Sequence, residues 1–302
     1  MLWINPLLLA ALGVVSAAAY AAPELTVTHV GQEIESENLS NGSDLDDVWL
    51  FNNVGLAYGD WTFGLQAGKD WTINYNDDNG QEKEVKSSNN RLQFDIWNKV
   101  SDDLKLGFRY RGQKNYDRFY ARYDYSHGMF WSTGDFFYEA KNGDGHDTFH
   151  SEWTPLGIKL GSVKVGYYFE YVKDLGGREE GQREEFFEHQ IRAYAPLYKG
   201  ERLTLSTEGR FTIASDEEYN GQPKTVVSKV EYNGYRHFDD FGRNRLYLKA
   251  NYKLTENLDI YGSYGYEVRE WKLEDNTTGK AYKDDHSQKY WQDVVIGWKY
   301  TF

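Results

Sequence analysis

The chain contains no cysteine, so it can form neither a disulfide framework nor a thiolate metal site. Proline is scarce, at 5 of 302 residues. Basic charge is also in short supply, with a formal net charge of −13, which argues against nucleic acid as a partner because such proteins present a basic face. Beyond the N-terminal stretch no apolar run approaches the roughly 20 residues a helical membrane span needs. What is abundant is aromatic: 25 Tyr, 16 Phe and 10 Trp in a chain that is polar on average. A barrel with a polar lumen and loops but aromatic girdles outside has this composition.

Residues 1–21 carry no charged side chain, Leu7 to Val15 form a short apolar core, and Ala19-Tyr20-Ala21 is a small-x-small site. A signal peptide over 1–21 is expected, with cleavage before Ala22. Residues 22–302 then form one transmembrane β-barrel domain in the outer membrane of a Gram-negative cell.

The body of the chain alternates with period two, the mark of strands whose faces meet different surroundings. In the C-terminal segment Tyr290, Val294, Ile296, Trp298, Tyr300 and Phe302 share one face, with Gln292 an exception, and Asp293, Gly297, Lys299 and Thr301 share the other. Leu246, Leu248, Ala250, Tyr252 and Leu254 likewise oppose Arg245, Lys249 and Lys253. The segments are long for soluble strands, which average about 5–6 residues, and suit tilted membrane strands of about 9–11. Tight turns such as Gly59-Asp60 and Gly161-Ser162 alternate with acidic stretches, Asn76 to Ser88, Leu175 to Glu184, Ser215 to Asp240 and Leu273 to His286. That asymmetry predicts an antiparallel up-and-down barrel of about fourteen strands, from 24–35 to 287–302, with twelve or sixteen left open. Short turns face the periplasm and longer loops face outward.

The inward face decides whether such a barrel is filled or open. Its basic side chains are Arg91, Lys105, Arg109, Arg111, Arg118, Arg122, Arg192, Arg210, Arg245 and Lys249, and its acids include Asp70, Asp95, Asp124, Glu170, Glu188, Glu208, Asp259 and Glu267. Charges without water or a partner cost more than a fold can spare, so these groups are hydrated or paired across the lumen. They can stiffen the wall as an ion-pair lattice, or select permeants by sign and size at a constriction. Arg109 and Arg111 beside Arg118 and Arg122 give the strongest local excess of positive charge. Inward Tyr168, Tyr194, Tyr247 and Tyr261 fill wall space or offer a track for sugar rings. His237, alone among titrating side chains near neutral pH in the long loop 215–240, is a possible gate.

Enzyme signatures are missing: no G-x-S-x-G, no H-E-x-x-H and no phosphate loop. His146 and His150 near Asp144 and Asp147 superficially resemble a metal or protease cluster, yet Asn142-Gly143-Asp144-Gly145 is ordinary turn chemistry. Neither a metal nor a cofactor is expected.

Several stretches resemble the outer-membrane protein G (OmpG) family of monomeric porins: Gln190-Ile191-Arg192-Ala193-Tyr194-Ala195-Pro196-Leu197, Val48-Trp49-Leu50-Phe51-Asn52, Ser101-Asp102-Asp103-Leu104 with Gly107, and the closing Tyr300-Thr301-Phe302. The resemblance implies a fourteen-stranded monomer that passes mono- to oligosaccharides. It also implies a sixth outer loop that closes the pore at acidic pH through a histidine pair, of which His237 is the one histidine present in 203–240. Partners implied are outer-membrane lipid and lipopolysaccharide, the barrel assembly machinery during biogenesis, and sugars as permeants. The related oligogalacturonate-specific porins have an arginine-rich lumen, which makes an acidic-oligosaccharide channel the alternative. A barrel hydrolase and a plugged structural barrel complete the set.

Overall fold

The computed structural model describes residues 23–39, 47–74, 84–143, 145–176, 180–221, 224–227, 230–275, 280–284 and 290–302. The expected signal peptide, 1–21, lies outside them, as do Asp44, Asp46, Asn76, Asp77, Asp78 and Asp144.

Among the described residues every regular element is a strand. In chain order these are β1 (Thr26–Leu39), β2 (Asp47–Tyr58), β3 (Trp61–Asn74), β4 (Glu84–Lys99), β5 (Leu104–Gln113), β6 (Tyr116–His127), β7 (Phe130–Lys141), β8 (Thr148–Leu160), β9 (Val163–Asp174), β10 (Gln182–Lys199), β11 (Leu203–Asn220), β12 (Lys224–Val227), β13 (Val230–Lys253), β14 (Leu258–Asp275), β15 (Lys280–Asp284) and β16 (Tyr290–Thr301). Consecutive strands from β1 to β11 pair antiparallel, β11 pairs with β13, β13 with β14, β14 with β16, and β16 returns to β1. The short strands β12 and β15 pair only with β13 and β14, outside that ring. The result is a closed barrel of fourteen strands.

Closure leaves no free edge, because β1 meets β16 over eleven residue pairs, from His29 opposite Thr301 to Leu39 opposite Trp291. The turns at one end are minimal. Gly59, Gly128 and Gly161 each sit at positive φ (56°, 55° and 63°), the left-handed conformation that two-residue hairpin turns require and glycine adopts without strain.

The exposed apolar residues fall on the outward parity of each strand: Ile34, Leu65, Leu92, Phe108, Phe119, Leu246, Leu248, Tyr264, Ile296 and Trp298 among them. In water such a surface would drive aggregation; in a bilayer it is the solvated face. No described helix is long and apolar enough to cross a membrane, so the strands do the crossing.

The wall is uneven in height, and here the sequence-based boundaries need correction. The stretch 215–240, expected as a long loop, is mostly strand: β11 runs to Asn220, β12 forms a small hairpin, and β13 begins at Val230. Likewise 84–88 belong to β4, 182–184 to β10, and 273–275 with 280–284 to β14 and β15. Polar alternation in these stretches reads as loop in a sequence because neither face is apolar. The ladder forms anyway because backbone groups pair whatever the side chains are. His237 therefore sits in β13 opposite Lys272 of β14, not in a free loop.

Candidate functional site: the charged interior of the barrel

Interior side chains are identified by contacts that skip a strand, which only a concave face permits. Arg122 of β6 reaches Asp95 of β4 (2.7 Å), Arg243 of β13 reaches Glu188 of β10 (2.7 Å), and Tyr261 of β14 donates to Glu33 of β1 (3.0 Å). Arg91, Lys105, Arg109, Arg111, Arg118, Arg122, Arg192, Arg210, Arg245, Lys249, Glu188, Glu208 and Glu267 all lie on this parity of their strands.

Two ion-pair lattices occupy the wall. The first spans β4 to β7. Asp95 accepts from both Arg109 and Arg122 (2.7 Å each), and Asp135 takes Arg122 as well (2.7 Å). Glu139 takes Arg118 and Lys141. The positive excess expected here is thus largely neutralised by Asp135 and Glu139, which the sequence reading left out of the inward acids. The second lattice spans β10 to β14. Glu267, 1% exposed, accepts from Arg243, Arg245 and Arg269. Glu188, fully buried, accepts from Arg243, Gln190 (2.8 Å) and Thr212 (2.5 Å). Glu208 accepts from Arg210 (2.6 Å) and Lys249 (2.5 Å). Arg243, central to this lattice, is absent from the expected inward set although it shares the parity of Arg245 and Lys249; it stands just after a bulge at 239–242. Phe241 in that bulge has φ of 57°, a strained conformation for a non-glycine residue.

The aromatics mainly support cations. The guanidinium of Arg192 lies 3.2 Å from the ring centroid of Tyr168, Arg210 lies 5.1 Å from Tyr247, and Arg245 lies 4.0 Å from Trp291. Tyr168 and Tyr247 are buried beneath these groups, so their faces are not offered to a passing ring. Trp131 is set differently: it fills slots above Gly157 and Gly166 and meets Tyr194 edge-on at 6.0 Å.

Three of the inward arginines named above have no carboxylate partner among the described residues. Arg111 donates Nε to Gln93 (2.8 Å), Arg192 donates Nε to Gln190 (2.8 Å), and Arg91 lies over Trp49 and Phe51 (4.4 and 4.8 Å). Lys105, near the short-turn end, lines a cavity of about 330 Å³ with Trp97 and Asp124.

The interior cavities are contiguous, and charged and hydroxyl side chains make up much of their lining. One of about 270 Å³, lined by Glu152, Tyr168, Arg192, Arg243 and Glu267, shares lining residues with one of about 340 Å³. That one shares Asp124, Thr133 and Tyr194 with a vestibule of about 630 Å³ near the short turns.

The histidines do not converge on a catalytic group. His150 stacks on Phe137 (4.4 Å) and bonds Thr148 (2.8 Å), whereas His146 turns to Gln182 and Asp174. Asp147, in the β7–β8 connection, is held below the ordinary carboxylate range by hydrogen bonds from the Tyr138 hydroxyl and the Lys141 backbone N–H.

A closed fourteen-stranded ring with apolar residues outside and charges inside has one fitting solvent arrangement. This is an outer-membrane β-barrel. Comparison with solved structures agrees on the fold. A bacterial polysaccharide outer membrane secretin is similar at a TM-score of 0.50 and 10% identity, over 90% of this chain and 98% of that one. OmpT of Vibrio cholerae aligns at 0.44 and 12% identity, over 92% and 98%. An anion-selective porin from Comamonas acidovorans aligns at 0.41 and 12%, over 92% and 100%. No family model matches the chain, and no curated protein matches it.

Proposed function

We propose that this barrel is a porin: a passive diffusion channel for small hydrophilic solutes, mono- to oligosaccharides among them, through a charged aqueous lumen. The observation that carries this reading is the contiguous run of cavities lined by charged and hydroxyl side chains of the two ion-pair lattices and their neighbours. A barrel sealed for structural purposes would fill that space with interlocking apolar side chains. The resemblance to the OmpG family supports a monomeric channel of this size. The barrel acts without catalysis in this reading, the carboxylates of its two lattices serving the guanidiniums beside them.

A second reading, a channel for acidic oligosaccharides, is favoured by Arg111 and Arg192, whose terminal nitrogens are not taken by carboxylates. Planar-bilayer conductance tests the first reading: stepwise ion current is expected, with liposome swelling in neutral mono- and disaccharides. Insertion without current would overturn it. Inhibition of that current by oligogalacturonate, with neutral sugars inert, would favour the second.

A further inference from the structure

On the inner wall from β16 to β5, carboxylates and guanidiniums stand without ion-pair partners among the described residues. At one end are carboxylates. Asp293 of β16 is only 6% exposed, yet its Oδ1 accepts no hydrogen bond. Glu35 of β1, diagonal to it in the ladder, has neither a hydrogen bond nor an ion pair among the described residues. At the other end are guanidiniums. The terminal nitrogens of Arg111 find no protein acceptor, since only its Nε is engaged, by Gln93. Arg91, diagonal to Arg111 across the β4–β5 ladder, donates its Nε (2.7 Å) and one terminal nitrogen (3.0 Å) to the Gln113 side-chain oxygen and meets no carboxylate.

What joins the two ends is a rigid support. Phe51 lies in a slot above Gly68, where even a Cβ would come within 2.5 Å of its ring. Trp49 stacks beside Phe51 at 5.3 Å and 3°. Arg91 reaches back across β3 and rests on both rings, and Trp49 is the cross-strand neighbour of Glu35. The guanidinium is therefore fixed in place beside an unpaired carboxylate without forming a salt bridge to it. In the two ion-pair lattices neighbouring opposite charges pair directly, so a strip that keeps them apart leaves donors and acceptors for a solute.

We propose that this strip is a binding station for zwitterionic solutes, amino acids or short peptides, whose carboxylate is received by Arg91 and Arg111 and whose ammonium is received by Glu35 and Asp293. The inference rests on the porin reading above and specifies a solute class for it. An anion alone would satisfy one end and leave buried carboxylate uncompensated at the other; a solute with both charges answers both.

The test uses the full barrel in planar bilayers and three probes that differ only at their ends: triglycine, N-acetyl-triglycine and triglycine amide. Triglycine is expected to reduce the current at a concentration about fivefold below either blocked form, the scale of one partly exposed charge pair. Arg91→Gln or Arg111→Gln should bring triglycine level with its amide. Glu35→Gln should bring it level with the acetylated form. Equal effects of all three probes on the wild-type barrel would overturn the proposal whether or not the variants fold. So would acetylated peptide acting as well as triglycine, which marks a plain anion site. A barrel that carries no salt current at all would instead sink the porin reading.

Discussion

Glu267 shows how much a single side chain holds in this interior. One carboxylate receives three guanidiniums, and replacing it leaves Arg243, Arg245 and Arg269 facing one another. Glu267→Gln is expected to destabilise the barrel by about 2–4 kcal/mol, the cost of breaking a desolvated pair, lowered somewhat because the arginines keep partial access to solvent. Its denaturant midpoint in detergent would report this; an unchanged midpoint would show the lattice to be dispensable. The same neutralisation should shift the reversal potential across a salt gradient toward anion preference. Trp131 offers an independent check on packing. Gly157→Ala places a methyl 2.0 Å from the indole, so the ring must move. A loss of about 1–3 kcal/mol with altered tryptophan fluorescence is expected, and an unperturbed spectrum would contradict the tight slot.

At the level of strands, the uneven rim has consequences. β10, β11 and β14 have 18 residues and β13 has 24, against 10 in β5 and 12 in β6. The upper part of β13 and β14 is held by Phe238 stacked on Trp271 at 4.0 Å and by buried Leu273. Leu273→Ala should accelerate amide exchange at 234–238 and 271–275 while leaving 243–268 protected; uniform acceleration would mean the rim is not a separate unit. The β7–β8 connection carries a pH dependence of known sign. Asp147 has a lowered pKa, so its contribution is present above the unfolded carboxylate's range, near pH 4, and fades as pH falls below it. Exchange protection of the Lys141 amide should thus fall as pH drops below about 4, and protection unchanged by acidification would count against the bond.

For the molecule as a whole, closure is the decisive feature. β1 and β16 are each other's only means of hiding an edge in lipid, where unpaired backbone groups cost several kcal/mol each. Removing 290–302 should leave β1 and β14 with open edges and yield aggregate in place of a detergent-stable, heat-modifiable barrel. A stable monomer from that truncation would show that the ring closes some other way.

Much of this was legible in residue order. Alternation in Leu246 to Leu254 and Tyr290 to Phe302 dictated strands with one lipid face, because a period of two admits no other element, and the glycine-bearing tight turns set the strand count. The interior basic residues followed from the same parity. Which charges pair did not, because partners such as Asp95 with Arg122 and Glu188 with Arg243 lie across an intervening strand, and curvature alone brings them together. Inward Phe137 hid Glu139 by reversing the usual contrast between faces, whereas Arg243 shares the parity of Arg245 and was legible from it. Local sequence sets the direction in which each side chain points; only closure of the ring decides what it meets.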